Sequence, residues 1–429
     1  MTAYKDMTKD QLETLRNELE TEYNKYRAKG LMLNIARGKP GVDQLQISMP
    51  LFEVFSSEAD LTATDGVDVR NYGTLEGIPE ARKLLGDMMG VPKEQVVIFG
   101  NSSLNVMYDT VARAYMFGIM GNTPWCKLDT VKFLCPVPGY DRHFGITQQF
   151  GIEMINIPMT DSGPDMNLVE YYVEKDPAVK GIWCVPVYSN PSGIVYSDET
   201  VRRFANMNPA ADDFRIYWDN AYVIHHLYDE ENVIPNIIEE CKKAGHPDMV
   251  YQFCSTSKIT FPGSGVAAMS ASPDNIRDVL DRMKWQTIGH DKVNQLRHVR
   301  FFHNLDGMKA HMKKHAEIIR PKVEAFLDEF DRELATAGIA EWTRPRGGYF
   351  ISFNAMKGCA KDIVAKCKAA GLTLTGAGAA FPYGEDPDDS NIRIAPTFSS
   401  LEDIYKAAGL FTVCVKLSAV EHLLADIGA

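Results

Sequence analysis

Short apolar runs separated by helix-length segments constrain this chain more than any other feature of its sequence. The candidate buried strands are Gln95–Phe99, Val131–Cys135, Ile155–Pro158, Gly181–Val187, Arg215–Trp218, Met249–Phe253 and Gly265–Ser270. Segments of helical length, such as 103–117, 141–150 and 197–207, lie between several of them. This alternation predicts an α/β protein whose mainly parallel, seven-stranded sheet carries helices on both faces. In such sheets ligands bind beyond the carboxyl ends of the strands. Asn101, Tyr140, Asn190, Asp219 and Lys258 mostly fall just after a candidate strand, so the chemistry is expected there.

The flanking regions read differently. Residues 8–29 form a charged amphipathic helix on the spacing of Leu12, Leu15, Leu19 and Tyr23. An irregular stretch with Gly38, Pro40 and Gly41 follows. Residues 272–337 are expected to be largely helical, with Met308, Met312, Ile319, Val323, Phe326, Phe330 and Leu334 as a buried stripe and Pro321 as a kink or restart. The remainder, with strands near 348–353 and 391–395 and a helix near 401–425, predicts a smaller α+β domain. The division expected is an N-terminal segment 1–55 contributing to the small domain, a large domain 56–310 and a small domain 311–429. A length of 429 residues suits two such units at about 100–200 residues each.

A net charge of −12 argues against a nucleic-acid or anionic-membrane binder, which would carry a basic stripe. The eight cysteines show no C-x-x-C pair, and several sit in apolar runs, as reduced thiols of a cytoplasmic protein do. No metal-ligand spacing, signal peptide or membrane-spanning run is read from the sequence. The adjacent His225 and His226 would point apart, and are read as structural.

Lys258 ends the hydroxyl-rich run Ser255-Thr256-Ser257-Lys258, and Asp219 closes the apolar stretch that begins at Phe214. A lysine so placed can form a Schiff base with an aldehyde cofactor, and a buried carboxylate can keep a pyridine nitrogen protonated. Pyridoxal phosphate requires both. Gly100-Asn101-Ser102-Ser103, between a strand and a helix, offers backbone N–H groups and hydroxyls to an anion, although Asn and Ser are also ordinary N-caps. Tyr140, after Pro136-Val137-Pro138-Gly139, could stack on a pyridine ring or pack on its own helix. Asn190, in Asn-Pro-Ser-Gly, and Tyr222, three residues past Asp219, could donate to a ring oxygen; the first is also a turn sequence and the second could be core. Arg393 stands alone in the apolar strand Asn391–Ala395, where a buried guanidinium needs an anion and matches a carboxylate. Arg37, beside Gly38, is a second arginine at a glycine turn, or a surface charge.

In this order the residues resemble the type I fold of pyridoxal-phosphate enzymes, and within it the class I aminotransferases. The resemblance covers roughly residues 30–400. It rests on Tyr72-Gly73-x-x-x-Gly77, Gly100-Asn101-Ser102-Ser103, Tyr140, Asn190-Pro191-x-Gly193, Asp219-x-x-Tyr222, Ser255-x-Ser257-Lys258 and Arg393. The runs Leu33–Gly41 and Arg393–Phe398 are most similar to the bacterial aspartate aminotransferases called subgroup Ic.

The resemblance implies that Lys258 binds pyridoxal 5'-phosphate and shuttles the proton, that Asp219 pairs with the ring nitrogen, and that Asn190 and Tyr222 bond the ring oxygen. Tyr140 would stack on the ring. Asn101, Ser102, Ser103, Ser255 and Ser257 would surround the phosphate, joined by Tyr72 from the other subunit of a homodimer. Arg393 would take the substrate α-carboxylate, with Asn190 and Gly38 nearby and Arg37 for a distal carboxylate. The reaction implied is amino transfer between aspartate and 2-oxoglutarate. Another amino acid, a β-lyase or decarboxylase reaction, or a non-catalytic binding role are the other readings of the same fold. One departure stands out: the family's phosphate-binding arginine, about eight residues after the lysine, is missing from Phe261-Pro262-Gly263-Ser264-Gly265-Val266. The sequence offers Lys39, Lys292, Asn294, Gln295 and Arg297 as further polar candidates.

Overall fold

A computed structural model describes residues 3–57 and 59–428; Met1, Thr2, Glu58 and Ala429, which fall within the segments expected from the sequence, lie outside the described residues. The chain opens with the helix Lys9–Ala28, capped by the Thr8 side chain. The short strand β1 (Leu33–Asn34) follows. The large sheet is built from β2 (Val96–Ile98), β3 (Lys132–Val137), β4 (Glu153–Thr160), β5 (Gly163–Pro164), β6 (Val179–Cys184), β7 (Arg215–Asp219), β8 (Val250–Ser255) and β9 (Ala267–Ser270). Its strand order is β2-β9-β8-β7-β6-β3-β4-β5. The strands β4, β3, β6, β7 and β8 are mutually parallel, whereas β9 runs antiparallel to both of its neighbours. The two-residue β5 adds an eighth strand to the seven expected, and is too short to leave an apolar signature.

Strand periodicity explains how this sheet is covered. Ile182 and Cys184 of β6, with Ile216 and Trp218 of β7, enter one apolar cluster. The alternate residues Trp183 and Tyr217 enter another. Both faces are therefore buried, as the continuous apolar runs require. After β3 the chain moves outward to β4, and after β6 it moves the other way to β7. The β3/β6 boundary is thus a topological switch point, where a crevice opens at the carboxyl ends. Tyr140 follows β3 and Asn190 follows β6, one on each side of it.

A third apolar cluster gathers Leu12 and Leu19 of the first helix with Phe326, Phe330, Phe353, Ile394 and Phe411. It surrounds a three-stranded antiparallel sheet of β10 (Ala340–Trp342), β11 (Ile351–Ala355) and β13 (Asn391–Ile394), with β11 in the centre. The strand β12 (Leu372–Thr373) pairs in parallel with β1 and so ties the start of the chain to this region. The helix Leu305–Glu333 runs through Pro321 and does not restart there. Its apolar stripe packs in the core before and after the proline, which holds the helix across the lost N–H donor. The helix Leu401–Gly428 is long and apolar enough to cross a membrane, but most of its apolar stretch is buried in the core. All eight cysteines are unpaired, and Cys126 alone among them is exposed.

Candidate active site

A cavity of about 230 Å³ opens where the carboxyl ends of β3, β6, β7 and β8 converge. Tyr140, Asn190, Asp219, Tyr222 and Lys258 line it. So do Ser102, Ser103, Ser255 and Ser257 on one side and Gly38, Lys39 and Pro40 at the mouth. The structure thus brings together nine of the site residues expected from the large sheet, plus Gly38 from the N-terminal segment. Gly38 is required by packing, since a Cβ there would fall within 2.4 Å of the Phe350 ring.

Asp219 ends β7 and is 3% exposed. Its Oδ2 lies 3.1 Å from His143 Nε2. The His143 ring in turn stacks on Trp183 at 4.5 Å, 11° from parallel. His143 therefore fixes the carboxylate, a role that the sequence reading missed. The one signal available was its place a single helical turn beyond Tyr140. Asp219 Oδ1 has no partner. A buried acceptor left unmatched costs about 1–3 kcal/mol unless a ligand supplies the donor. A protonated pyridine nitrogen is such a donor, and pyridoxal phosphate fits the donor set around it.

Lys258 Nζ stands 4.8 Å from the centre of the Tyr222 ring. Burial, reinforced by Asp219, pushes the Tyr222 hydroxyl far above its usual range, so it is a neutral donor at physiological pH. Burial likewise pushes Tyr140 up to about 12.

The backbone at Lys258 is caught by a buried polar chain. Tyr349 Oη donates to Lys258 O at 3.2 Å. His311 Nε2 and His315 Nε2 reach Ile259 O at 2.9 and 3.0 Å. Gln44 Nε2 serves both Tyr349 Oη and His315 Nδ1. Its Oε1 accepts from Gly41 N, just beyond the cavity mouth. Because Ile259 O can only accept, the protons sit on the two Nε2 atoms, and His315 Nδ1 accepts from Gln44. The next residue, Thr260, is held by His298 Nε2 at 2.9 Å.

These histidines must stay neutral. Burial lowers His298, His311 and His315 to about 4, His315 also being disfavoured by His311. Between pH 6.5 and about 4 the unfolded chain binds more protons than the folded one, so stability falls with pH in that window. Each group contributes up to about 1.4 kcal/mol per pH unit. Denaturant midpoints are expected to drop from pH 7 to pH 5, and His315→Gln should flatten the slope. A profile that is level across this range would contradict the assignment.

On the phosphate side, Ser102 caps the helix Ser103–Phe117 by accepting from Leu104 N at 3.2 Å. Ser255 Oγ donates to Ser257 Oγ at 3.1 Å, and Ser257 Oγ donates to Asn101 O at 2.8 Å. Asn101 is not among the cavity-lining residues, and its Nδ2 donates to Pro262 O. A Cβ at Gly265 would stand 3.1 Å from Asn101 O and 3.3 Å from Ser257 N, so a side chain there would crowd the backbone of this loop. Arg297 Nη2 instead donates to Ser264 Oγ at 2.7 Å, and Asn294 Nδ2 holds the carbonyls of Ser264 and Gly265. Lys292 Nζ and Gln295 Oε1 bind the backbone of Gly73 and Ile78.

Besides Asn101, three expected residues lie outside the cavity lining. Arg393, on β13, is buried and paired with Asp141. Arg37 is exposed beside Gly38, and its guanidinium has no hydrogen-bond or ion-pair partner among the described residues. Tyr72 is 81% exposed, on the segment that Lys292 anchors.

A lysine and a partly unmatched carboxylate line the switch-point cavity of this fold, and with the relatives that match nearly the whole chain they define the class: a pyridoxal-phosphate-dependent aminotransferase. The chain belongs to the aspartate aminotransferase family, whose model, described as aspartate amino-transferase, matches residues 7–426. It is 42% identical to an aspartate aminotransferase of Corynebacterium glutamicum over 98% of this chain and 97% of that one. The crystal structure of an aspartate transaminase from the same species superposes with a TM-score of 0.96, covering 98% of this chain and 99% of that one at 42% identity. An α-aminoadipate aminotransferase of Thermus thermophilus, solved with N-(5'-phosphopyridoxyl)-L-leucine, has a TM-score of 0.72 at 19% identity. It covers 94% of this chain and 95% of that one, a likeness of fold alone.

Proposed function

We propose that this enzyme moves an amino group between aspartate and 2-oxoglutarate, giving oxaloacetate and glutamate, with pyridoxal 5'-phosphate in the cavity. Within its family we assign it to subgroup Ic. The observation that carries the reading is Lys258 and Asp219 lining one cavity, with Asp219 Oδ1 unmatched.

Pyridoxal phosphate, when bound, supplies an aldehyde that condenses with amines and a ring that accepts the electron pair left by a departing α-proton. The chain's own residues do the rest. The Lys258 amine would take the proton from the substrate α-carbon and return one to the former aldehyde carbon, on the other side of the amino nitrogen. Asp219, oriented by His143, would keep positive charge on the ring nitrogen. Tyr222 and Asn190 would donate to the ring oxygen, and Tyr140 would cover the ring and exclude water. Asn101 shapes the phosphate loop, while Ser102, Ser103, Ser255, Ser257 and the first turn of the helix Ser103–Phe117 offset phosphate charge. Arg393 takes the α-carboxylate.

We also read the chain as a cytoplasmic homodimer, in which each exposed Tyr72 completes the other subunit's cavity. Residues 56–310 form the cofactor-binding domain, and 1–55 with 311–429 form the small one.

The test is spectroscopic. The purified protein should show a visible band that borohydride abolishes and that aspartate converts, with oxaloacetate released. Failure of aspartate where another amino acid converts the band would move the substrate. Eliminated fragments in place of a 2-oxo acid would make the enzyme a lyase.

The distal carboxylate needs a second cation, because burying it unpaired is costly. Arg37 is the proposed group, since the Gly38–Pro40 segment that follows it lines the mouth. Arg37→Ala should lower kcat/KM for aspartate by roughly 10–150-fold, the usual effect of losing a charged hydrogen bond, while sparing alanine. An equal fall for both substrates would point to Lys39 or another group.

A further inference from the structure

Arg393 is 7% exposed, and its Nη1 donates to Asp141 Oδ1 at 2.7 Å. The next approach to Nη1, Asn190 Oδ1, is at the margin of a hydrogen bond at 3.5 Å. Nε is buried without any partner. The Phe350 ring lies 5.3 Å from the guanidinium carbon and adds no acceptor. A single anion of the chain therefore offsets this buried cation.

The two partners are not equally dependent on each other. Asp141 is 33% exposed and makes no other side-chain hydrogen bond or ion pair among the described residues. It begins the helix Asp141–Gln149, whose N-terminal dipole stabilises a carboxylate with or without the arginine. Arg393 has no such alternative, and a buried charge stripped of its only counter-ion is strongly destabilising. Asp141 can leave the pair at small cost, provided that another carboxylate takes its place.

We propose that Asp141 is a resident stand-in for the substrate's α-carboxylate, occupying Arg393 until an amino acid or 2-oxo acid replaces it. The proposal rests on reading Arg393 as the α-carboxylate group. A carboxylate that served only to orient Arg393 would be expected to be buried and held by further bonds; Asp141 is neither. An intramolecular competitor weakens the binding of every α-carboxylate, whatever the side chain. It also hastens product departure, because Asp141 restores the pairing as the product leaves. The device therefore sets affinity for both substrate classes at once, unlike a distal-carboxylate contact, which distinguishes aspartate from alanine.

The test uses the holoenzyme with Asp141→Asn and Asp141→Ser. KM is expected to fall at least ~10-fold for aspartate, for alanine and for the 2-oxo acid alike, the scale of one charged hydrogen bond. Succinate, which has no amino group to react, gives a second readout. In buffer the variants should melt below the wild type, and succinate should raise their melting temperature more than it raises the wild type's. An unchanged or higher KM, or an equal succinate shift, overturns the proposal, a higher KM marking Asp141 as an orienting group. Arg393→Gln is measured alongside. If it leaves KM unchanged for every carboxylate, the α-carboxylate reading itself fails. If it raises KM while Asp141→Asn does nothing, only the role of Asp141 falls.

Discussion

Lys258→Ala is expected to bring turnover below detection while the protein still folds and still binds pyridoxal phosphate. Loss of a positioned general base alone costs ~10²–10⁴-fold, and here the same residue is also the nucleophile that binds the aldehyde. The fold should survive because the surrounding structure holds the backbone of this turn, not the lysine side chain. Tyr349, His311 and His315 grip the carbonyls of Lys258 and Ile259. The check is single-turnover kinetics with aspartate, beside a melting curve and equilibrium dialysis of the cofactor. In the wild type, borohydride should fix the cofactor's mass to the peptide containing Lys258. Normal steady-state activity in the alanine variant would sink the assignment.

The second large effect is expected at Asp219. An opposite charge at close range raises the pKa of a cationic acid by about 1–3 units, so Asp219→Ala should slow α-proton removal by roughly 10- to 10³-fold. Cofactor binding should weaken far less, since the serines and the helix N-terminus on the phosphate side are untouched. Stopped-flow spectroscopy with α-deuterated aspartate reads the step directly, and the isotope effect should grow as proton removal becomes limiting. The same substitution leaves His143 without its acceptor, so His143→Ala should show part of the same loss through a less ordered carboxylate. A proton-removal rate unchanged in Asp219→Ala would reduce Asp219 to a strand terminus.

What the sequence made legible was local. The central strands contain short, mainly apolar runs, and residues at or just past the ends of such runs fall on the sheet's carboxyl edge, which is how Lys258, Asp219 and Asn190 are placed from the sequence. The buried stripe from Met308 to Phe330 was equally readable, because one helix face suffices to reveal it. Pairings between distant elements were not. Asp219 meets His143 across 76 positions, and Arg393 meets Asp141 across 252. Nothing in the composition of either segment specifies its partner. The restart allowed for at Pro321 does not occur, because packing on both sides holds the helix together where local geometry disfavours a proline. The short strands β5 and β10 were invisible because two or three residues carry no period.

The setting of Lys258 has a consequence for how the enzyme comes to be active. The lysine is complete as a side chain once β8 and the turn after it exist, but its backbone partners are encoded later, at His311, His315 and Tyr349, and earlier, at Gln44. Gln44 and Tyr349 are separated by 305 positions. Such contacts close large loops and form slowly compared with local ones. A chain halted or cleaved before residue 305 would keep the cofactor's attachment point and lose His311, His315 and Tyr349, which hold the carbonyls of Lys258 and Ile259. Catalytic competence is therefore a late acquisition of the whole polypeptide, and partly made chains would be poor amine catalysts even where the large sheet has already assembled.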